Sequence, residues 1–243
     1  NRKESVKAEE AIKEYQKALV QDPKDQSSYK AVASLYENLQ KTDEWLDWVT
    51  KRSQNTSIPG EHRAEALTSL AAKKNTCAND ISDTEATKKK TTKDGKPAYN
   101  YVKPASPEDY EKFKQCVADG TQFIDQAIAL EPEPVKSATT LNVKSLSDAD
   151  LKSKQDLLKV FESARSYKTS LLYQASYLAE MDGRVAAFLL AMREGAPYQN
   201  DNYCWFSTRF PQFLYVDRVV VGAGFAGQRV GSRLYEDLFS YAR

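Results

Sequence analysis

One helical pattern constrains this chain more than anything else in it. A small residue, an aromatic and a second small residue share one helical face, and a proline closes the run: Ala11-x3-Tyr15-x2-Ala18-x4-Pro23. The same punctuation returns as Gly120-x3-Ile124-x2-Ala127-x4-Pro132. Steps of three and four keep these residues on one side of a helix. Small residues there let a neighbouring helix approach closely, the large one fills the groove between them, and proline cannot continue the helix. A chain that repeats this pattern is expected to stack helices against one another.

Apolar stripes of helical period surround both copies. Val6, Ala11, Tyr15, Ala18 and Leu19 form the first, and Tyr29, Val32, Ala33, Tyr36 and Leu39 the second. A third segment holds Trp45, Leu46, Trp48 and Val49, where Trp45 stands in place of a small residue. Another helix is expected over 62–74 through Ala66, Leu67, Leu70 and Ala71. Ser106-Pro107-Glu108-Asp109 is a strong helix start, with a hydroxyl cap, proline in the first turn and acids against the dipole. Tyr110, Phe113, Val117, Gly120, Ile124 and Ala127 follow it. Ser147-Asp148-Ala149-Asp150 opens a last helical stretch, which runs through Leu157, Phe161, Tyr167, Leu171 and Leu178 to Met181.

The small-large-small helices resemble the second helix of a tetratricopeptide repeat. The resemblance implies an α-hairpin stack over 1–182 whose concave face binds a peptide or another protein. Tyr29 and Tyr36 are candidate contacts, with plain inter-helix packing as the alternative reading.

Two stretches interrupt the helices. Residues 75–105 read as non-helical, because Asn79, Asp80, Ser82 and Asp83 punctuate them. A mobile insertion is expected at 78–105. Within it Thr91-Thr92 and Tyr99 to Val102 can pair as a hairpin around Asp94-Gly95. Lys88, Lys89, Lys90, Lys93 and Lys96 make it basic. That composition suits phosphate or an acidic partner, or simply a solvated arm. Residues 135–146 read as a polar loop.

At Gly183 the period changes. Val185 to Met192 is a continuous apolar run suited to a buried strand, and Phe213 to Val221 is a second strand rich in β-branched and aromatic residues. Four of the nine glycines then fall between 222 and 231, before a closing helix striped by Val230, Leu234, Leu238 and Tyr241. A strand, a glycine loop and a helix N-terminus together form an anion site. Gly222-x-Gly224-x-x-Gly227 after Val219-Val220-Val221 matches the Rossmann dinucleotide fingerprint, whose acidic ribose partner would fall about 20 residues on, at or beyond Arg243.

Residues 183–243 also resemble the central part of a GNAT-type N-acetyltransferase. The match runs through Ala187 to Ala191, Asn202-Tyr203-x-Trp205-Phe206, Tyr215 to Val221, and Gly227-Gln228-x-Val230-Gly231-Ser232-Arg233. It implies acetyl-CoA as cofactor. The backbone of Val219 and Val221 would hold the acetyl-pantetheine arm, and amides of Gly227, Gln228, Val230, Gly231 and Ser232 would cradle the pyrophosphate. The family's loop has a basic or amide residue where Ala226 stands, and glycine where Arg229 stands. Its further strands and its catalytic groups are not found by spacing; Tyr235 and Glu236 read as helix-surface residues.

The fold class expected is therefore mostly α: a tetratricopeptide-like α-hairpin stack over 1–182, followed at 183–243 by a small α/β segment. A protein-interaction scaffold is the first functional reading, and an acetyl-CoA-dependent N-acetyltransferase with a helical acceptor-docking domain is the second. The abrupt change at Gly183 also admits a join of two unrelated segments. A formal charge of +1 gives no global drive toward nucleic acid or an anionic membrane. No window reaches the roughly 20 apolar residues of a membrane span. Cys77, Cys116 and Cys204 lack the paired spacing of a metal site, and His62, the only histidine, reads as a solvated group. Small buried thiols are expected, with a Cys77–Cys116 disulfide reserved for an exported protein. The chain opens inside a helical pattern, so export stays open, with the cytoplasm slightly favoured.

Overall fold

The computed structural model describes residues 2–93, 96–136, 147–183, 187–196, 198, 200–222, 225 and 227–242. Those residues are mostly helical, with two small antiparallel sheets. They divide into two compact units, Asn1–Lys74 with Asp119–Lys168, and Asn75–Ala118 with Thr169–Arg243. This division differs from the boundary expected at Gly183. Helix α7, for instance, is one continuous helix of 34 residues that contributes to both units.

The first unit begins with α1 (Arg2–Gln21), α2 (Gln26–Asn38) and α3 (Thr42–Gln54). Pro23 ends α1 as the pattern requires, and Asp25 caps α2 by accepting from the Ser27 amide at 2.9 Å. Helix α2 closes with a Schellman motif. The Lys41 amide donates to the Tyr36 carbonyl, the Gln40 amide donates to the Glu37 carbonyl, and Gln40 is left-handed at φ 57°. Trp45 and Val49 of α3 pack on Ala66 and Leu70 of α4 (Gly60–Ser82). Trp45 is buried, so the large residue that broke the repeat pattern serves as core.

The two copies of the opening pattern have different fates. Gly120, Ile124 and Ala127 of α5 (Pro107–Ala129) are all buried, as close helix packing demands. In α1 the buried residues are Ile12 and Leu19, whereas Tyr15 is 38% exposed and Ala18 lies open. Helix α1 packs chiefly on α2, and that contact uses a neighbouring face.

The second unit corrects the reading of 75–82, which are helical and complete α4. Ala78 and Ile81 pack with Phe113, Cys116, Val117 and Met181, and this tertiary burial outweighs the local turn preference of Asn and Asp. The polar residues are satisfied across the unit: Ser82 Oγ donates to Gln174 Oε1 at 2.8 Å, and the Gln174 amide donates to Asn79. Strands β1 (Lys88–Lys93) and β2 (Lys96–Tyr101) form the expected hairpin with Thr91 opposite Ala98; its turn at Asp94-Gly95 lies outside the described residues.

Residues 133–136, expected in a loop, form the short helix α6 (Glu133–Lys136); residues 137–146 lie outside the described residues. Helix α7 (Asp148–Met181) starts on a Ser147 cap. Strand β3 (Ala187–Arg193) pairs antiparallel with β4 (Leu214–Val221), with a bulge at Leu190/Ala191. Val185 and Ala186 of the expected strand lie outside the described residues. The stretch 202–206 is helical within α8 (Asp201–Ser207), capped by Asn200. Helix α9 (Val230–Ala242) packs on β3 and β4 through half-buried Val230, Leu234 and Leu238, while Tyr241 is exposed.

A disulfide joins Cys77 on α4 to Cys116 on α5, with Cα atoms 6.1 Å apart, where free thiols were expected. Cys204 is a free exposed thiol. A cross-link spanning 39 residues restricts the unfolded chain by about 4 kcal/mol. Reductant is therefore expected to lower the denaturant midpoint of the native protein, and to leave that of a Cys77→Ala/Cys116→Ala double variant unmoved. Coincident midpoints for the oxidised and reduced native protein would contradict the assignment.

Candidate functional site

The structure brings part of the sequence-expected site together at the β4–α9 junction. Val219 pairs with Leu189 and Val221 with Ala187, which places both in the sheet and half-buried. Gly231 stands against Val221: a Cβ there would lie 3.6 Å from Val221 Cγ2, an ordinary contact, so no close approach demands glycine. Gly227 takes φ +79° with open space around it, so glycine is needed there for the backbone angle alone. Gln228 is exposed, and its amide donates to the Phe225 carbonyl at 3.3 Å. Val230, Gly231 and Ser232 form the first turn of α9, where helix geometry leaves amides without intrahelical partners. Gly224 and Ala226 lie outside the described residues.

Arg229 is the informative position. Its φ is +59°, and its carbonyl accepts from the Arg233 amide as the first bond of α9. The backbone there is left-handed, which glycine adopts freely and arginine does not. The fit to a pyrophosphate is thus partial: the backbone has the conformation of a glycine loop, and an exposed arginine side chain sits on it.

A carboxylate cluster in the same unit escaped the sequence reading. Asp217 of β4 accepts from the Tyr198 hydroxyl on Oδ1 at 2.5 Å and from the Tyr173 hydroxyl of α7 on Oδ2 at 3.2 Å. Arg218 lies over the Tyr173 ring at 5.4 Å. Burial, then the hydrogen bond to Asp217, pushes the Tyr198 hydroxyl well above its ordinary value, and burial followed by the Asp217 charge raises Tyr173. Both phenols stay protonated donors at neutral pH. The one signal in the sequence is the Asp217-Arg218 pair inside an otherwise apolar strand. Beside this cluster an apolar cleft of about 490 Å³ lies between α7 and β3, lined by Leu172, Ala175, Ala179 and Phe188.

The larger cavity lies in the first unit. A groove of about 1040 Å³ runs between one face of α4 and one face of the first part of α7, with Lys30 of α2 at its side. The α4 wall carries Glu61, His62 and Glu65; the α7 wall carries Lys152, Asp156 and Lys159. Leu157, Val160 and Tyr167 add apolar surface. Glu65 receives Lys30 at 2.8 Å and Arg52 at 2.7 Å. Burial opposes its charge, but these two hydrogen-bonded cations outweigh it and hold the carboxyl below its ordinary value. Burial lowers His62, so it stands neutral at pH 7. Lys152 and Glu61 make no ion pair among the described residues.

The tyrosines expected to meet a peptide do not line this groove. Tyr29 and Tyr36 pack on Trp48, with ring centroids 5.5 and 6.4 Å away. Their hydroxyls accept from Asn55 and Gln16 respectively. Among the described residues no group of three or more His, Cys, Asp and Glu is placed to hold a metal ion, and no helix is long and apolar enough to cross a membrane. No family model matches the chain, and no curated protein or solved structure matches it.

Two outcomes follow from this geometry. Replacing Arg229 by glycine is expected to raise stability by about 1 kcal/mol by relieving the left-handed backbone, whereas Arg229→Ala leaves it unchanged; equal denaturant midpoints for the two variants would refute this. Tyr198 has a raised folded value, so its contribution is fully present below the ordinary tyrosine range near pH 10 and is lost as pH rises through the elevated value. The native protein should therefore lose more melting temperature between about pH 10 and 12 than Tyr198→Phe does. Parallel losses would contradict it.

Proposed function

We propose that this protein is a helical interaction scaffold whose α4–α7 groove receives an extended segment of a partner protein. The observation that carries the reading is the groove itself: two helix faces of differing charge, with Lys152 and Glu61 making no ion pair among the described residues. From Ala149 to Tyr167 the α7 wall spans about 27 Å at 1.5 Å per residue, which an extended peptide covers in roughly eight residues. Acidic side chains of the partner would meet Lys152 and Lys159, basic ones would meet Glu61, and an apolar side chain would rest on Leu157 and Val160. Complementary charge on two walls fixes orientation as well as affinity.

The test is selection from a library of random peptides about ten residues long, a length set by the groove, followed by fluorescence anisotropy on the native chain. Acidic residues should be enriched at one end, and Lys152→Glu/Lys159→Glu should weaken the selected peptides by about tenfold. Lys13→Glu on α1 should leave binding unchanged. A selection that enriches nothing, or peptides indifferent to the groove variant, would remove the reading.

One observation favours the second reading, an acetyl-CoA-dependent N-acetyltransferase: Gly227 and Arg229 both take positive φ immediately before α9. In that reading the cofactor supplies the activated acyl group. Val219 and Val221 would hold its pantetheine arm, and Gly227, Gln228, Val230, Gly231 and Ser232 its pyrophosphate. Calorimetric titration decides between the readings. The expected result is no saturable micromolar binding of acetyl-CoA by this chain, with Arg229→Gly changing little. Micromolar binding would put the transferase reading first.

A further inference from the structure

The β1–β2 hairpin belongs neither to the groove nor to the β4–α9 junction, and its register gives its composition a use. In the sequence the tyrosines follow the lysines and look separate from them. Pairing sets Lys88 opposite Tyr101 and Lys90 opposite Tyr99, with Lys89 opposite Asn100. Lys88 and Lys90 thus share a face with the two rings, and Lys89 points to the other face.

The base of the hairpin is fixed. The buried Thr87 hydroxyl donates to the Ile81 and Ser82 carbonyls, the Val102 amide donates to the Thr87 carbonyl, and the Tyr101 amide donates to Glu180 at 3.1 Å. Tyr101 stacks on Tyr177 with centroids 3.7 Å apart. Beyond that base the surface is open: Tyr99 is 49% exposed, and Lys89 and Lys90 are exposed. Lys88 pairs with Asp83 at 2.5 Å and lies over the Tyr99 ring. Among the described residues the Lys89 ammonium donates only to the neutral Glu85 carbonyl, and Lys90 has no ion pair. Among the described residues the two strands pair with no other strand, which leaves each an edge without a strand partner.

We propose that this hairpin docks an acidic, extended segment of a partner protein, added along an open strand edge with its carboxylates on Lys89 and Lys90. Edge addition supplies main-chain hydrogen bonds, and the lysines supply the sign of the partner. A single-stranded nucleic acid fits less well. Such strands need successive rings to stack on, and here Tyr101 is committed to Tyr177, leaving Tyr99 alone. The proposal stands whether or not the α4–α7 groove binds a peptide.

The probe is a fluorescein-labelled peptide of consecutive glutamates, whose side chains fall on both faces of an added strand, titrated into the native chain by anisotropy, with oligo-dT and an oligolysine peptide of equal length beside it. Saturable binding of the acidic peptide is expected, weakened about tenfold by Lys89→Glu/Lys90→Glu and by raising salt from about 50 to 300 mM. Lys152→Glu/Lys159→Glu should leave it unchanged, and circular dichroism of the hairpin variant should match the native protein. Binding lost only in the groove variant, binding retained by the folded hairpin variant, no binding, or tighter binding of oligo-dT would each overturn the proposal.

Discussion

Arg52 is a buried cation, and the first unit is arranged so that its charge is answered. Its side chain is 8% exposed; it donates to Glu65 of α4 at 2.7 Å and to Gln26 of α2 at 3.1 Å. Three helices therefore meet at one guanidinium. Removing Glu65 would leave the buried Arg52 with only a neutral partner, at a cost of several kcal/mol. The pair also fixes the register in which Trp45 and Val49 meet Ala66 and Leu70. Its effect reaches the groove, because Glu65 is a wall residue. With Arg52 on one oxygen and Lys30 on the other, Glu65 keeps its charge despite burial, and the α4 wall stays acidic.

Helical period carried most of the fold. The stripes of α2 and α5, the helix starts at Ser106 and Ser147, and the strands β3 and β4 all follow from local pattern. Local pattern misled where polar residues had distant partners. Asn79 and Ser82 read as turn punctuation, yet both are tied to Gln174, more than 90 positions along the chain. A helix can carry such residues inward when another helix completes their hydrogen bonds. The opening pattern shows the converse limit. Spacing places Ala11, Tyr15 and Ala18 on one face, but it does not say whether that face is covered, and in α1 it is Ile12 and Leu19 that are buried.

The candidate sites divide the same way. The glycine loop was legible because backbone angles leave a compositional mark; Arg229 stood out in the sequence as a side chain where glycine was expected, and its φ shows the backbone there to be left-handed. The α4–α7 groove and the lysine–tyrosine pairing of the hairpin left no mark, since both depend on which residues face each other across elements.

Asp217 bears on what the C-terminal strands can do. A free carboxylate at a cleft edge is a ready proton acceptor, but this one is engaged on both oxygens, by Tyr198 and by Tyr173. Tyr198 belongs to a segment held at several further points. The Ala196 amide donates to the Tyr203 hydroxyl, that hydroxyl donates to the Arg193 carbonyl, and the Tyr215 hydroxyl donates to Asn200. Tyr203 and Tyr215 also meet edge to face, 5.7 Å apart. These contacts make Asp217 the point at which β4, the segment around Tyr198 and α7 are tied together. Each phenol is raised by burial and so favours its neutral, donating form, which keeps both hydrogen bonds to Asp217 in place. The geometry therefore assigns Asp217 to holding the sheet and its neighbours in place.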